Sequence, residues 1–147
     1  MIISTDSQTI LSLCSHLGLT STSVYSPLSL KEWNILARKI QSLSLRPGDI
    51  LNFSSNDIHD RLEVKNEDLE RISFLMQRSG SLAIELERLE SLGISVMTRA
   101  DNDYPSRYRQ RLKESAPVIL FYSGEKSLLG QPGIAIVGSR HLDDIGK

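Results

Sequence analysis

From residue 1 to residue 92, apolar side chains recur at intervals of three and four, the spacing of one face of a helix. Ile10, Leu13, Cys14 and Leu17 make the first such face. Thr5 and Gln8 stand before it at capping-box spacing, and Gly18 is placed to end the helix in a left-handed conformation with Leu19 packing back. Trp33, Leu36, Ala37 and Ile40 make the second face, entered through a Ser29/Glu32 capping box and a Leu28/Trp33 hydrophobic staple. This places Trp33 in a core and not on a base-stacking surface. Arg46-Pro47-Gly48-Asp49 predicts a turn, with Ile50, Leu51 and Phe53 beginning a short helix or bend. Ser54 to Asp57 reads as a loop before a short helix that carries Ile58 and Leu62. Asn66 then caps a helix with Leu69, Ile72, Leu75 and Met76 inward, and Ser79-Gly80-Ser81 breaks it. The last helix of this half turns Leu82, Leu86 and Leu89 inward and Glu85, Glu87, Arg88 and Glu90 outward, with Gly93 as its cap. Residues 1–92 are expected to form a helical bundle.

At Gly93 the pattern changes. Ile94 to Thr98 has strand character, and Asp101-Asn102-Asp103 is turn material. Pro105 suits the opening of a short helix whose Tyr108 and Leu112 face one way, with Tyr104 near its entrance. Val118 to Tyr122 forms a second strand candidate, closed by Ser123-Gly124. Ile134 to Val137 forms a third, and it runs straight into Gly138-Ser139-Arg140. That last run is apolar without alternation, as in a central parallel strand covered on both faces. Residues 93–147 therefore read as the incomplete start of an α/β Rossmann-like domain, and the chain as the front of a longer protein.

Composition narrows the function. The 147 residues are 39% hydrophobic and 24% charged, which suits a packed soluble protein. With 17 Lys+Arg against 18 Asp+Glu, no overall positive field attracts nucleic acid, so any such binding must come from a local patch. Cys14, the single cysteine, excludes an intrachain disulfide and fits a reducing cytoplasm as a small core residue. Neither a secretory signal nor a membrane-spanning apolar run is visible. His16, His59 and His141 are scattered, and His59 falls among polar loop residues. No metalloprotease helix motif, nucleophile elbow or Walker loop occurs, so neither catalysis nor a cofactor is expected.

In order and spacing, the residues after Gly93 resemble the DprA/Smf (DNA-processing protein A) family. The matching elements are Gly93-Ile94, Asp103-Tyr104-Pro105 with Leu112, Pro117 to Phe121 with Gly124, and Ile134 to Arg140 with Gly146 behind. The resemblance implies an extended Rossmann-like core and single-stranded-DNA binding. It also implies protection of incoming DNA in natural transformation, assistance in loading the RecA recombinase, and no enzymatic activity. It further implies a cytoplasmic homodimer for the full-length protein, the present stretch being monomeric by itself. His141-Leu142-Asp143-Asp144 is more acidic than the family's usual continuation, and the later glycine-rich basic segment is absent from this sequence.

The turn has the right chemistry for a phosphate. Gly138 lets the backbone approach, Ser139 can donate a hydroxyl, and the Arg140 fork can hold two oxygens. Arg140 is read as a contact to a DNA phosphate, with pairing to Asp143 or Asp144 as the competing reading. Arg107, Arg109, Arg111 and Lys113, with Arg99 nearby, are split between two sides of a helix and read as solvated side chains. Two other functions remain open: a Rossmann-like sensor of a nucleotide or small molecule, and a helical protein-interaction module.

Overall fold

The computed structural model describes residues 3–134. These residues are mainly helical, with one small antiparallel strand pair. The elements are α1 (Thr5–Cys14), α2 (Leu30–Ser42), α3 (Ser55–Leu62), α4 (Asn66–Met76), α5 (Ser79–Ser91), β1 (Ser95–Thr98), α6 (Ser106–Leu112) and β2 (Ile119–Tyr122). Short 3₁₀ turns occupy Pro47–Asn52, Lys113–Ser115 and Lys126–Gly130. The Rossmann-like part of the expectation is not among these elements. The third strand candidate and Gly138-Ser139-Arg140 lie outside the described residues, apart from Ile134.

Helix α1 is the hub. Ile10, Leu11 and Leu13 are buried, and the helix contacts the 3₁₀ turn at Pro47–Asn52, α2, α4, α5 and both strands. Each such aliphatic side chain contributes about 1.5–3 kcal/mol on burial. The core continues through Trp33, Leu36, Ile40, Ile50, Ile58, Leu62, Ile72 and Leu75 to Val118. Trp33 is thus core, as its helical spacing requires. Cys14 lies against the same core, and burial pushes its thiol up to about 12.

Helix ends account for most departures from the sequence reading. Ser4, not Thr5, caps α1, its Oγ accepting from the Ser7 amide at 3.1 Å. The helix ends at Cys14, short of Leu17, because Ser15 is extended and its Oγ donates to the Leu11 carbonyl at 2.7 Å. Gly18 does take φ +72, but in the loop beyond. A Cβ there would meet the Ser81 backbone at 2.8 Å. Ser54 to Asp57 is no loop: Ser54 and Asp57 form a capping box that starts α3, with aspartate in the role usually given to glutamate. His59 consequently lies on a helix, its Nδ1 2.8 Å from the Val64 carbonyl oxygen. Lys65, not Asn66, is the N-cap of α4. The break before α5 falls at Gln77–Arg78, and Ser79-Gly80-Ser81 forms the first turn of α5.

Two expectations hold closely. Ser29 and Glu32 make a reciprocal capping box, with the Ser29 amide donating to Glu32 Oε2 at 2.7 Å. Arg71 donates to Glu32 Oε1 at 2.7 Å and holds that carboxyl down to about 2. Gly93, at φ +71, closes α5: its amide donates to the Glu90 carbonyl, and Ile94 donates to Leu89. This is a Schellman motif. Helix α2 ends in the same hydrogen-bond pattern, yet Ser44 takes the left-handed position at φ +57.

β1 and β2 pair with Val96 opposite Phe121 and Thr98 opposite Ile119. Met97 and Thr98 are buried against the helices. Ser7 Oγ lies 2.7 Å from Thr98 Oγ1 and donates to Asp101 Oδ1 at 2.7 Å, while the Thr98 amide donates to Asp101 Oδ2. This polar node fixes α1 to the end of β1.

Candidate nucleic-acid interface

Two sets of cationic side chains were read from the sequence, and the structure describes one of them. Gly138, Ser139 and Arg140 lie outside the described residues. The Arg99 to Lys113 group is described in full, and its split around α6 is real. Tyr108 and Leu112 are partly exposed, and α6 buries no side chain. The segment is tied down instead by Tyr104, which is buried and donates its hydroxyl to the Pro117 carbonyl at 2.7 Å. Burial raises the Tyr104 phenol above its ordinary range. Tyr108 meets Tyr104 edge-on at 6.3 Å, and the Arg109 guanidinium stands 5.3 Å from the Tyr104 ring centre.

One side of the split converges on a cleft of about 580 Å³. Arg99, Arg109 and Lys113 line it together with Arg46 from the turn before the first 3₁₀ segment. Asp6 and Glu114 are its two acids, and Ile10, Trp33, Ala37 and Pro47 form apolar wall. Both acids are already engaged. Asp6 takes the Arg46 guanidinium and the Gly48 amide, the latter at 2.8 Å, while Glu114 takes Arg38 at 2.6 Å. Gly48 is needed for that approach, since a Cβ on it would stand 2.7 Å from Thr5 Oγ1.

Among the described residues, Arg99, Arg109 and Lys113 therefore have no ion-pair partner. Arg99 donates to Asn34 Oδ1 at 3.1 Å and to the Ala116 carbonyl at 3.2 Å. Arg109 donates to the carbonyls of Arg99 and Asp101 at 2.7 and 2.9 Å. All four acceptors are neutral, so they orient the guanidinium groups without cancelling them. The nearby Asp101 carboxylate is turned to Ser7 and Thr98. Lys113 makes no ion pair among the described residues, and its backbone sits at φ +50, ψ −119. A non-glycine residue in such a conformation costs on the order of 1–3 kcal/mol.

Arg107 and Arg111 do not line this cleft. The convergence of Arg46 with Arg99 and Arg109 escaped the sequence reading because Arg46 is more than fifty residues away along the chain, and no spacing connects it to them. Asp103, one of the residues carrying the family resemblance, pairs with Lys126. Lys126 holds the Asp103 carboxyl below its usual range. Among the described residues no cluster of acidic, histidine or cysteine side chains could hold a metal. No described helix is long and apolar enough to cross a membrane.

The described residues thus form a helical module with a strand pair at its end and a cleft lined by Arg46, Arg99, Arg109 and Lys113. Residues 95–147 match the model of a family described as DNA recombination-mediator protein A. The match agrees with the DprA likeness read from Gly93 onward. No curated protein and no solved structure matches the chain.

Proposed function

We propose that this protein binds single-stranded DNA as a mediator of recombination, protecting incoming strands in natural transformation and helping to load RecA. It acts by binding and not by catalysis, as a homodimer in the cytoplasm. The observation that carries this reading is the family match over residues 95–147, a stretch that includes Gly138, Ser139 and Arg140. In this reading the turn opens a Rossmann-like α/β core, Gly138 admits a phosphate to the backbone, and Arg140 grips it through two parallel hydrogen bonds.

Titration of a labelled single strand at fixed salt tests the site. Arg140→Ala is expected to weaken binding roughly tenfold, the loss of one charge-assisted contact of about 1.5 kcal/mol. Unchanged affinity would remove Arg140 from the site. RecA filament growth on the same strand, followed with and without the protein, tests the loading role. Identical growth curves would refute it.

A further inference from the structure

The cleft described above is built from residues that the Gly138-Ser139-Arg140 turn does not include. We infer that Arg99, Arg109 and Lys113 form a second phosphodiester-binding site for single-stranded DNA, on the face between the helical bundle and the strand pair. The inference rests on the DNA-binding reading and adds a separate contact to it.

Three observations carry it. First, charge is locally unbalanced. Asp6 is taken by Arg46 and Glu114 by Arg38, which leaves three cations with no acid in contact among the described residues. In a chain whose net charge is −1, such a concentration marks one place. Second, the arginines are already positioned. Neutral carbonyl and amide oxygens hold Arg99 and Arg109, so binding does not have to order them. The wall of Ile10, Ala37 and Pro47 excludes water on one side and strengthens the field across the opening. Third, Lys113 occupies a backbone conformation that suits glycine, and its side chain lines the cleft. Lysine at that position is unfavourable for folding, which fits retention of the ammonium for a ligand. The cleft is open and its recruited groups are cations without a shaped base pocket. It therefore suits a backbone phosphate and gives no reason for sequence preference.

The test uses the whole 147-residue chain and a fluorescein-labelled oligothymidylate, with anisotropy followed across a salt series. Lys113→Gly removes the charge and relieves the backbone, while Lys113→Gln removes the charge alone. Both are expected to weaken binding about fivefold. Each should also lower the slope of log affinity against log salt by about 0.7, the value for one phosphate contact on a single strand. Only Lys113→Gly should also raise the melting temperature, which separates lost binding from lost folding. Unchanged affinity and slope in both variants, with Arg140→Ala still weakened, would overturn the second site and leave the DNA-binding reading intact. No binding by the unsubstituted chain would overturn both. Thymidine monophosphate is expected to compete poorly at equal phosphate concentration. Full displacement by it would replace the strand with a free nucleotide as the ligand and overturn the inference as stated.

Discussion

Arg78 and Arg109 each give guanidinium hydrogens to backbone carbonyls, but their surroundings make them different kinds of residue. Arg78 is 8% exposed and reaches the carbonyls of Leu11, Ser12, Ser15 and Leu17. These oxygens lie at and beyond the end of α1, where helical carbonyls lose their intrahelical partners. Its charge thus sits against the negative end of the α1 dipole and closes the loop that follows. Arg109 is exposed, reaches two carbonyls and faces an open cleft. The difference teaches that a hydrogen-bonded arginine is structural when its donors are consumed and its faces are covered. It remains available to a ligand when only one edge of the fork is used.

The strongest way to break this contrast is Arg78→Ala. It leaves several carbonyls unsatisfied in the interior and is expected to cost about 3–4 kcal/mol in denaturant unfolding. Arg78→Lys should recover little of it, because an ammonium cannot span the same set of acceptors. Arg109→Gln at the open site is expected to cost only about 1 kcal/mol by the same measurement. A loss matching that of Arg78→Ala would show Arg109 to be structural after all.

Between these extremes stands the Arg71–Glu32 pair, in which Glu32 is 44% exposed. The folded Glu32 carboxyl lies at about 2 against an ordinary 4.5. Its contribution is therefore present above pH 4.5 and is lost as pH falls through 4.5 toward 2. Solvent screening limits that contribution to about 1 kcal/mol. Melting curves over this range should show a steeper acid loss for the unsubstituted chain than for Glu32→Gln, and parallel curves would exclude the pair as a source of stability. The smallest effect expected is a gain. Lys113→Gly should stabilise by somewhat less than about 1 kcal/mol, since relief of the backbone is partly offset by glycine's unfolded-state entropy. A drop in melting temperature would show that the lysine side chain supports the fold.

The helical half was legible because its signals are local. Ser29/Glu32, the Trp33 face and Gly93 each combine a cap or a period within a few residues, and each is where the spacing places it. Helix ends were less legible where a distant group decides them. The stop at Cys14 rests on Ser15 together with Arg78, which supplies partners for the carbonyls of Leu11 and Ser12 from more than sixty residues away, so spacing alone does not place it. Ser54/Asp57 was hidden for a simpler reason, since a polar run serves a loop and a capped helix start equally well. The cleft was half visible. The alternation of Arg107, Arg109, Arg111 and Lys113 gave the split around α6, but which half faces a wall depends on how the strand pair seats on α1 and α2. The lesson for reading such chains is that a neutral overall charge says little about a local site. Here the acids that line the cleft are bound to Arg46 and Arg38.

The Ser7–Thr98–Asp101 node has a kinetic meaning as well. It joins residues 94 positions apart, and the helix it anchors is the hub of the core. Helix α1 leaves the ribosome before β1 and gains this polar partner only after β1 and the turn behind it have been made. The loop closed by that contact is among the longest the chain forms, and its entropy must be overcome before the contact is gained. Helix α1 is therefore completed late, since the chain between Ser7 and Asp101 must be in place before the node can close.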